Sequence, residues 1–158
     1  MPEPSERDLN AVIGRPEGFF AVGDGGVFVT SHGDGEWVAH DTPVAANLLD
    51  VATDHELTIV AVGTGGVIVT SLDLGATWTL SASNTDSSLY GVAWTGAEFV
   101  TVGNQGTVLV SPDGLDWSRV DLGTDAKIGA IASNGVLTVA MAEDGQALVT
   151  TGDGQWTH

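Results

Sequence analysis

LTIVAVGTGGVIVTSLDLGATW, residues 57–78, decides the fold. Two short runs rich in Val, Ile and Thr flank the glycine-dense GTGG, and the stretch closes on SLDLGATW. β-branched runs of this length read as strands, and glycines supply the positive φ of a tight connection at little steric cost. The same phrase returns three times. It reads FFAVGDGGVFVTSHGDGEW over 19–37, EFVTVGNQGTVLVSPDGLDW over 98–117 and LTVAMAEDGQALVTTGDGQW over 137–156. The closing tryptophans, Trp37, Trp78, Trp117 and Trp156, stand 41, 39 and 39 residues apart. Ahead of each copy sits one more apolar run: LNAVIG, LLDVAT, LYGVAW and IGAIAS.

Each unit therefore divides into four strands. In the second they are expected at 48–53, 57–62, 67–71 and 77–81. A unit of about 40 residues holding four antiparallel strands is the period of a β-propeller blade, so the fold is all-β, a propeller of four four-stranded antiparallel blades per chain. The blades are expected at about 9–41, 47–82, 88–121 and 127–158, as one domain behind a polar leader, 1–8. Four blades in an open arc would leave edges to cover. Either leader residues 3–8 add a strand to the short last blade, or two chains join head to tail into an eight-bladed ring.

SLDLGATW matches the Asp-box, S-x-D-x-G-x-T-W, and the chain from about Leu9 to Trp156 resembles the BNR or sialidase-type propeller repeats. With an AVG strand ahead of the box, it is similar to bacterial propellers related to photosystem II assembly factors. The second box is complete. The third keeps Asp113 and Trp117 in a shorter turn, and the first and fourth move Asp34 and Asp153 next to a glycine. An Asp such as Asp73 can bond backbone N–H groups a few residues on and close its own turn, so the box is read as structural. The resemblance implies that it joins the third and fourth strands, away from the ligand face.

By that topology the ligand rim is built from the turns 23–26, 63–66, 103–106 and 142–145 and the connections between blades. Its polar candidates are Asp24, Thr64, Asn104, Gln105 and Glu143, with Tyr90 and Trp94 on a first strand. Sialidase chemistry, as the resemblance implies, needs an arginine triad beside a tyrosine nucleophile, a glutamate and an acid. The chain has three arginines, Arg7, Arg15 and Arg119, in segments that do not bring them together. A two-carboxylate hydrolase would draw on connection acids such as Asp41, Asp86 and Asp125, but none forms a distinctive pair. Four histidines without ligand spacing and no cysteine leave no metal site, and no cofactor motif appears.

Charge narrows the partners. Twenty-one acids against four Lys and Arg give a net charge of −17, which excludes nucleic acid and anionic membranes. No apolar stretch approaches the ~18 residues of a membrane span, and the N-terminus lacks the pattern of a signal peptide, so a cytoplasmic or particle-associated place is expected. The reading is a non-catalytic interaction or structural module, a scaffold or assembly component with a place on a particle or virion surface allowed by its size. Its partner is a protein or a second copy. A lectin-like glycan binder is the alternative, with Trp94 as the ring a sugar would stack on, and a glycoside hydrolase ranks below both.

Overall fold

A computed structural model of the chain describes residues 6–158. Four antiparallel sheets of four strands follow one another along the chain, with no α-helix among the described residues. The first is β1 (Leu9–Arg15), β2 (Gly18–Gly23), β3 (Val27–Ser31) and β4 (Val38–Asp41). The second is β5 (Leu48–Thr53), β6 (Ile59–Gly63), β7 (Ile68–Ser71) and β8 (Thr79–Ser81). The third is β9 (Leu89–Trp94), β10 (Phe99–Gly103), β11 (Val108–Ser111) and β12 (Ser118–Arg119). The fourth is β13 (Ile128–Ser133), β14 (Thr138–Ala142), β15 (Ala147–Thr150) and β16 (Trp156–Thr157). Within each sheet the strands lie in chain order, so every sheet is a meander with a first, innermost strand. The innermost strands β1, β5, β9 and β13 pack in succession, which is the arrangement of blades around a propeller axis.

Three apolar layers lie between the sheets. Phe20, Val22 and Phe28 of the first sheet meet Leu48, Ile59 and Val69 of the second. Val60, Val62 and Ile68 meet Phe99, Leu109 and Trp117 in the next gap. Val100, Val102 and Val108 meet Ile128, Ala140 and Leu148 in the third. Strand alternation explains the pattern: neighbouring residues of one strand face opposite gaps, so the middle strands are buried on both faces and read as continuous apolar runs. Each fully buried Val, Leu, Ile or Phe stabilises the stack by about 1.5–3 kcal/mol relative to exposure.

Polar groups in the gaps are tied across the sheets. Buried Thr70 donates through Oγ1 to Gly114 O at 2.6 Å, joining the second sheet to the third. Asp50 accepts from Val92 N at 2.9 Å across the same gap and from Val51 N at 2.9 Å. Burial raises the Asp50 pKa, against the lowering effect of those two N–H groups.

The first and last sheets each keep one face uncovered, so the four blades are part of a propeller rather than a closed ring. Leu9, Val12 and Trp37 are exposed on one end of the arc and Met141 on the other. The leader does not add a strand to the last blade over residues 6–8, because these lie against the first. Asp24 N donates to Asp8 O and Arg7 Nη1 to Gly25 O. Leader residues 1–5 lie outside the described residues.

Candidate functional site

All turns between second and third strands, and all connections between blades, gather at one end of the molecule. The chain itself ties them there. Asn47 O accepts from Thr64 N, Ser88 O from Asn104 N and Lys127 O from Glu143 N, each at 2.8–3.0 Å. The connections run so close over the turns that glycine is required: a Cβ on Gly66 would fall 2.0 Å from Thr85 O, and one on Gly106 1.7 Å from Thr124 O. The other end carries the first-to-second and third-to-fourth turns, where Leu74 N donates to Leu57 O and Arg15 reaches Thr53 and Glu56 of the next sheet.

A β-bulge at the start of every innermost strand shapes this rim. The pairing shifts by one residue between Leu9 and Ala11, Leu48 and Asp50, Leu89 and Gly91, and Ile128 and Ala130. The extra residues are Asn10, Leu49, Tyr90 and Gly129. A bulge re-aims the side chain it carries. Asn10 Nδ2 donates to Asp24 Oδ1 and to Leu48 O, both at 2.9 Å. Tyr90 lies under Lys127, whose Nζ is 4.6 Å from the ring centroid and 2.8 Å from Glu143 Oε1. The Glu143 carboxylate, by hydrogen bond and charge, holds the Lys127 pKa above its usual value.

The rim thus brings Asp24 together with Asn10, and Tyr90 with Lys127 and Glu143. Gln105 accepts from Ser87 Oγ at 3.0 Å through Oε1 and takes a positive φ. Its backbone O is 3.5 Å from Arg119 Nη2. Thr64 and Asn104 are held by their backbone N–H groups, as above. Trp94 does not join the rim. β9 starts at the rim with Leu89 and runs away from it, so Trp94 ends at the far end, 4.7 Å from Phe99 between ring centroids. Arg7 and Arg119, weighed in the sequence only for an arginine triad, and Asn10 and Lys127, not among the rim candidates, also stand here. Three of the chain's four basic side chains, all but Arg15, thereby reach turns of this one end, on the first, third and fourth sheets. They do not form one cluster.

At the opposite end the turns of Asp34, Asp73, Asp113 and Asp153 close on themselves. Asp73 Oδ1 accepts from Thr77 N and from Ser71 Oγ, each at 2.8 Å, and Oδ2 accepts from Thr77 Oγ1; these bonds hold its pKa below the usual value, that from Thr77 Oγ1 foremost. Asp34, Asp113 and Asp153 accept from the N–H two residues on, in Glu36, Leu115 and Gln155. Trp78 leaves its turn to stand edge-on to Phe28 of the preceding sheet, and Trp156 enters the third gap. An outer groove of about 470 Å³ between the first two sheets is lined by Phe28, Thr30, His40 and Leu74 among others. His40 Nε2 lies 3.0 Å from Thr30 Oγ1 there. Among the described residues no three acids or histidines are placed to hold a metal ion.

The family described as Photosynthesis system II assembly factor YCF48 matches residues 15–157. No curated protein matches the sequence. Among solved structures, YCF48 from Cyanidioschyzon merolae is 18% identical over 99% of this chain and 57% of its own, with a TM-score of 0.74. YCF48 bound to D1 peptide is 13% identical over 97% and 54%, at 0.75. A selenomethionine-substituted virginiamycin B lyase from Staphylococcus aureus is 13% identical over 99% and 56%, at 0.81. At such identities the likeness shows the fold alone. The chain spans little more than half the length of these propellers.

Proposed function

Because this chain belongs to the Photosynthesis system II assembly factor YCF48 family, we propose that it is a non-catalytic interaction module whose rim holds a segment of a partner protein. The observation that carries the reading is the placement of Arg7, Arg119 and Lys127 at the rim of a chain with net charge −17. Cations held beside Asp24 and Glu143 at one end of so acidic a molecule offer charge-assisted bonds to carboxylate groups of a ligand, and the rim acids accept from its N–H groups. The structure of YCF48 bound to D1 peptide supports a polypeptide as the class of ligand. The ligand groups are Asp24, Thr64, Asn104, Gln105, Glu143 and Tyr90, joined by Asn10. The four turns around Asp34, Asp73, Asp113 and Asp153 are Asp-box turns with a structural role.

Glycan binding loses support with Trp94 turned away from the rim and packed on Phe99. A place on a particle or virion surface stays part of the scaffold reading, as does self-association: an arc open at both ends suits a head-to-tail homodimer. The test is an array of short peptides probed with the 158-residue chain. Peptides rich in carboxylates are expected to be retained, less so as salt rises. Retention should fall about tenfold, about 1.4 kcal/mol, in the Arg119→Ala/Lys127→Ala double variant. Equal retention by the double variant would overturn the assignment of the rim.

A further inference from the structure

Three internal interfaces are built on one plan. In each, the first strand of the later sheet presents Val51, Val92 or Ile131 to a second-strand residue of the earlier sheet, Val22, Val62 or Val102. The third interface shows how close these positions come. A Cβ on Gly91 would lie 3.0 Å from Ile131 Cγ2 and 3.4 Å from Val102 Cγ2.

Each end of the arc keeps one half of this plan. Val12 stands where Val51 stands in the second sheet, yet it is 60% exposed where Val51 is 3%. Leu9, Phe19 and Trp37, the counterparts of Leu48, Ile59 and Trp78, are exposed with it. A hollow of about 320 Å³ opens among Leu9, Val12, Ala21 and Trp37, on the side where the other sheets receive a neighbour. On the last sheet, Met141 is the counterpart of Val22 and is 46% exposed. Ala130 and Ala132 are exposed beside it, and Val139 and Val149 are half-buried. None of these positions carries a charge, on a chain where 21 residues are acidic. Such uncharged faces mark an interface rather than a solvated surface.

We infer that the open face of the first sheet receives the open face of the last sheet of a second copy, Val12 against Met141, and that two copies close head to tail into one ring of eight blades. This deepens the self-association reading above and rests on it. The contact continues the three interfaces already present, so it needs no new type of surface. Eight blades lie within the range of about 4–8 found in propellers. Two identical heterologous contacts then leave no edge open. The rim is complete only in the pair, where the second-to-third-strand turns and the blade connections of both copies stand at one end of one ring.

The experiment is light scattering after size exclusion on the 158-residue chain and on two variants. The wild type is expected near twice 16.1 kDa. Val12→Glu and Met141→Lys, both at exposed positions, are each expected to run as folded monomers by circular dichroism. Mixed in equal amounts, they should return to the dimer mass, because one contact then pairs Glu with Lys and the other is native. A wild-type mass of 16.1 kDa overturns both self-association and this interface, and a mass above the dimer overturns ring closure. A wild-type dimer whose single variants stay dimeric, or whose mixture stays monomeric, overturns the assigned faces and leaves self-association standing. Peptide retention is read separately, on the array, so failure of this interface and failure of the rim assignment are told apart.

Discussion

At Gly75 the chain has no room for a side chain. A Cβ there would fall 2.4 Å from Cε1 of Phe28, a fully buried ring held by Phe20 and Trp78, and φ is +90°. Gly35 takes the same place in the first sheet with φ +86° but has nothing within 4 Å. Gly75→Ala is therefore expected to cost about 3 kcal/mol and Gly35→Ala about 1 kcal/mol, read as midpoint shifts in urea. The turn itself was legible from Asp73 and Gly75. The clash was not, since Phe28 belongs to another repeat. Two acids should show opposite pH behaviour. The lowered pKa of Asp73 contributes stability above the ordinary carboxylate pKa, and this is lost as pH falls through the folded value. The raised pKa of Asp50 does the reverse, since the folded state holds the proton longer and stability falls as pH rises through the window above 3.8. Melting temperatures of Asp73→Ala and Asp50→Asn across acid pH check both signs. The deficit of Asp73→Ala should vanish at low pH, and Asp50→Asn should gain on the wild type as pH rises.

Turn length separates two elements that look alike in sequence. In the third sheet the shorter turn lets the Trp117 indole donate to Gly114 O at 3.0 Å, while the longer turn of the second leaves buried Trp78 Nε1 without a partner. Trp117→Phe should thus cost about 1 kcal/mol more than Trp78→Phe, the net worth of one hydrogen bond, by chemical unfolding. Thr70→Val is expected to cost about 1 kcal/mol or less, because Gly114 O keeps the Trp117 indole and because Val110 and Val149 hold the corresponding places in the last two sheets. Strand order was readable from the repeats, and the strands of the second unit, expected at 57–62 and 67–71, are observed at Ile59–Gly63 and Ile68–Ser71. The bulges were not readable. A one-residue offset inside LYGVAW or LNAVIG changes no pattern of apolar residues, yet it aims Tyr90 and Asn10 at the rim.

At the scale of the molecule, charge and curvature decide the behaviour. Self-repulsion of 21 acids should ease as salt screens it, so passing from low salt to molar NaCl is expected to raise Tm by about 3 °C, about 1 kcal/mol for a chain of this size. A fall in Tm would show that other charge interactions outweigh the repulsion. The propeller class was legible because four copies of one phrase fix both period and strand count. The rim cations were not, since Arg7, Arg119 and Lys127 lie in a leader, an outer strand and a connection, and only the winding of the sheets carries them to one end. Every sheet also has two unlike sides, one of which fits the other side of its own copy. A segment with that property can be duplicated in a gene without inventing a new contact, because the newcomer already matches both neighbours. The number of blades is then free to drift during evolution, held in check only by the wedge angle at which the circle shuts.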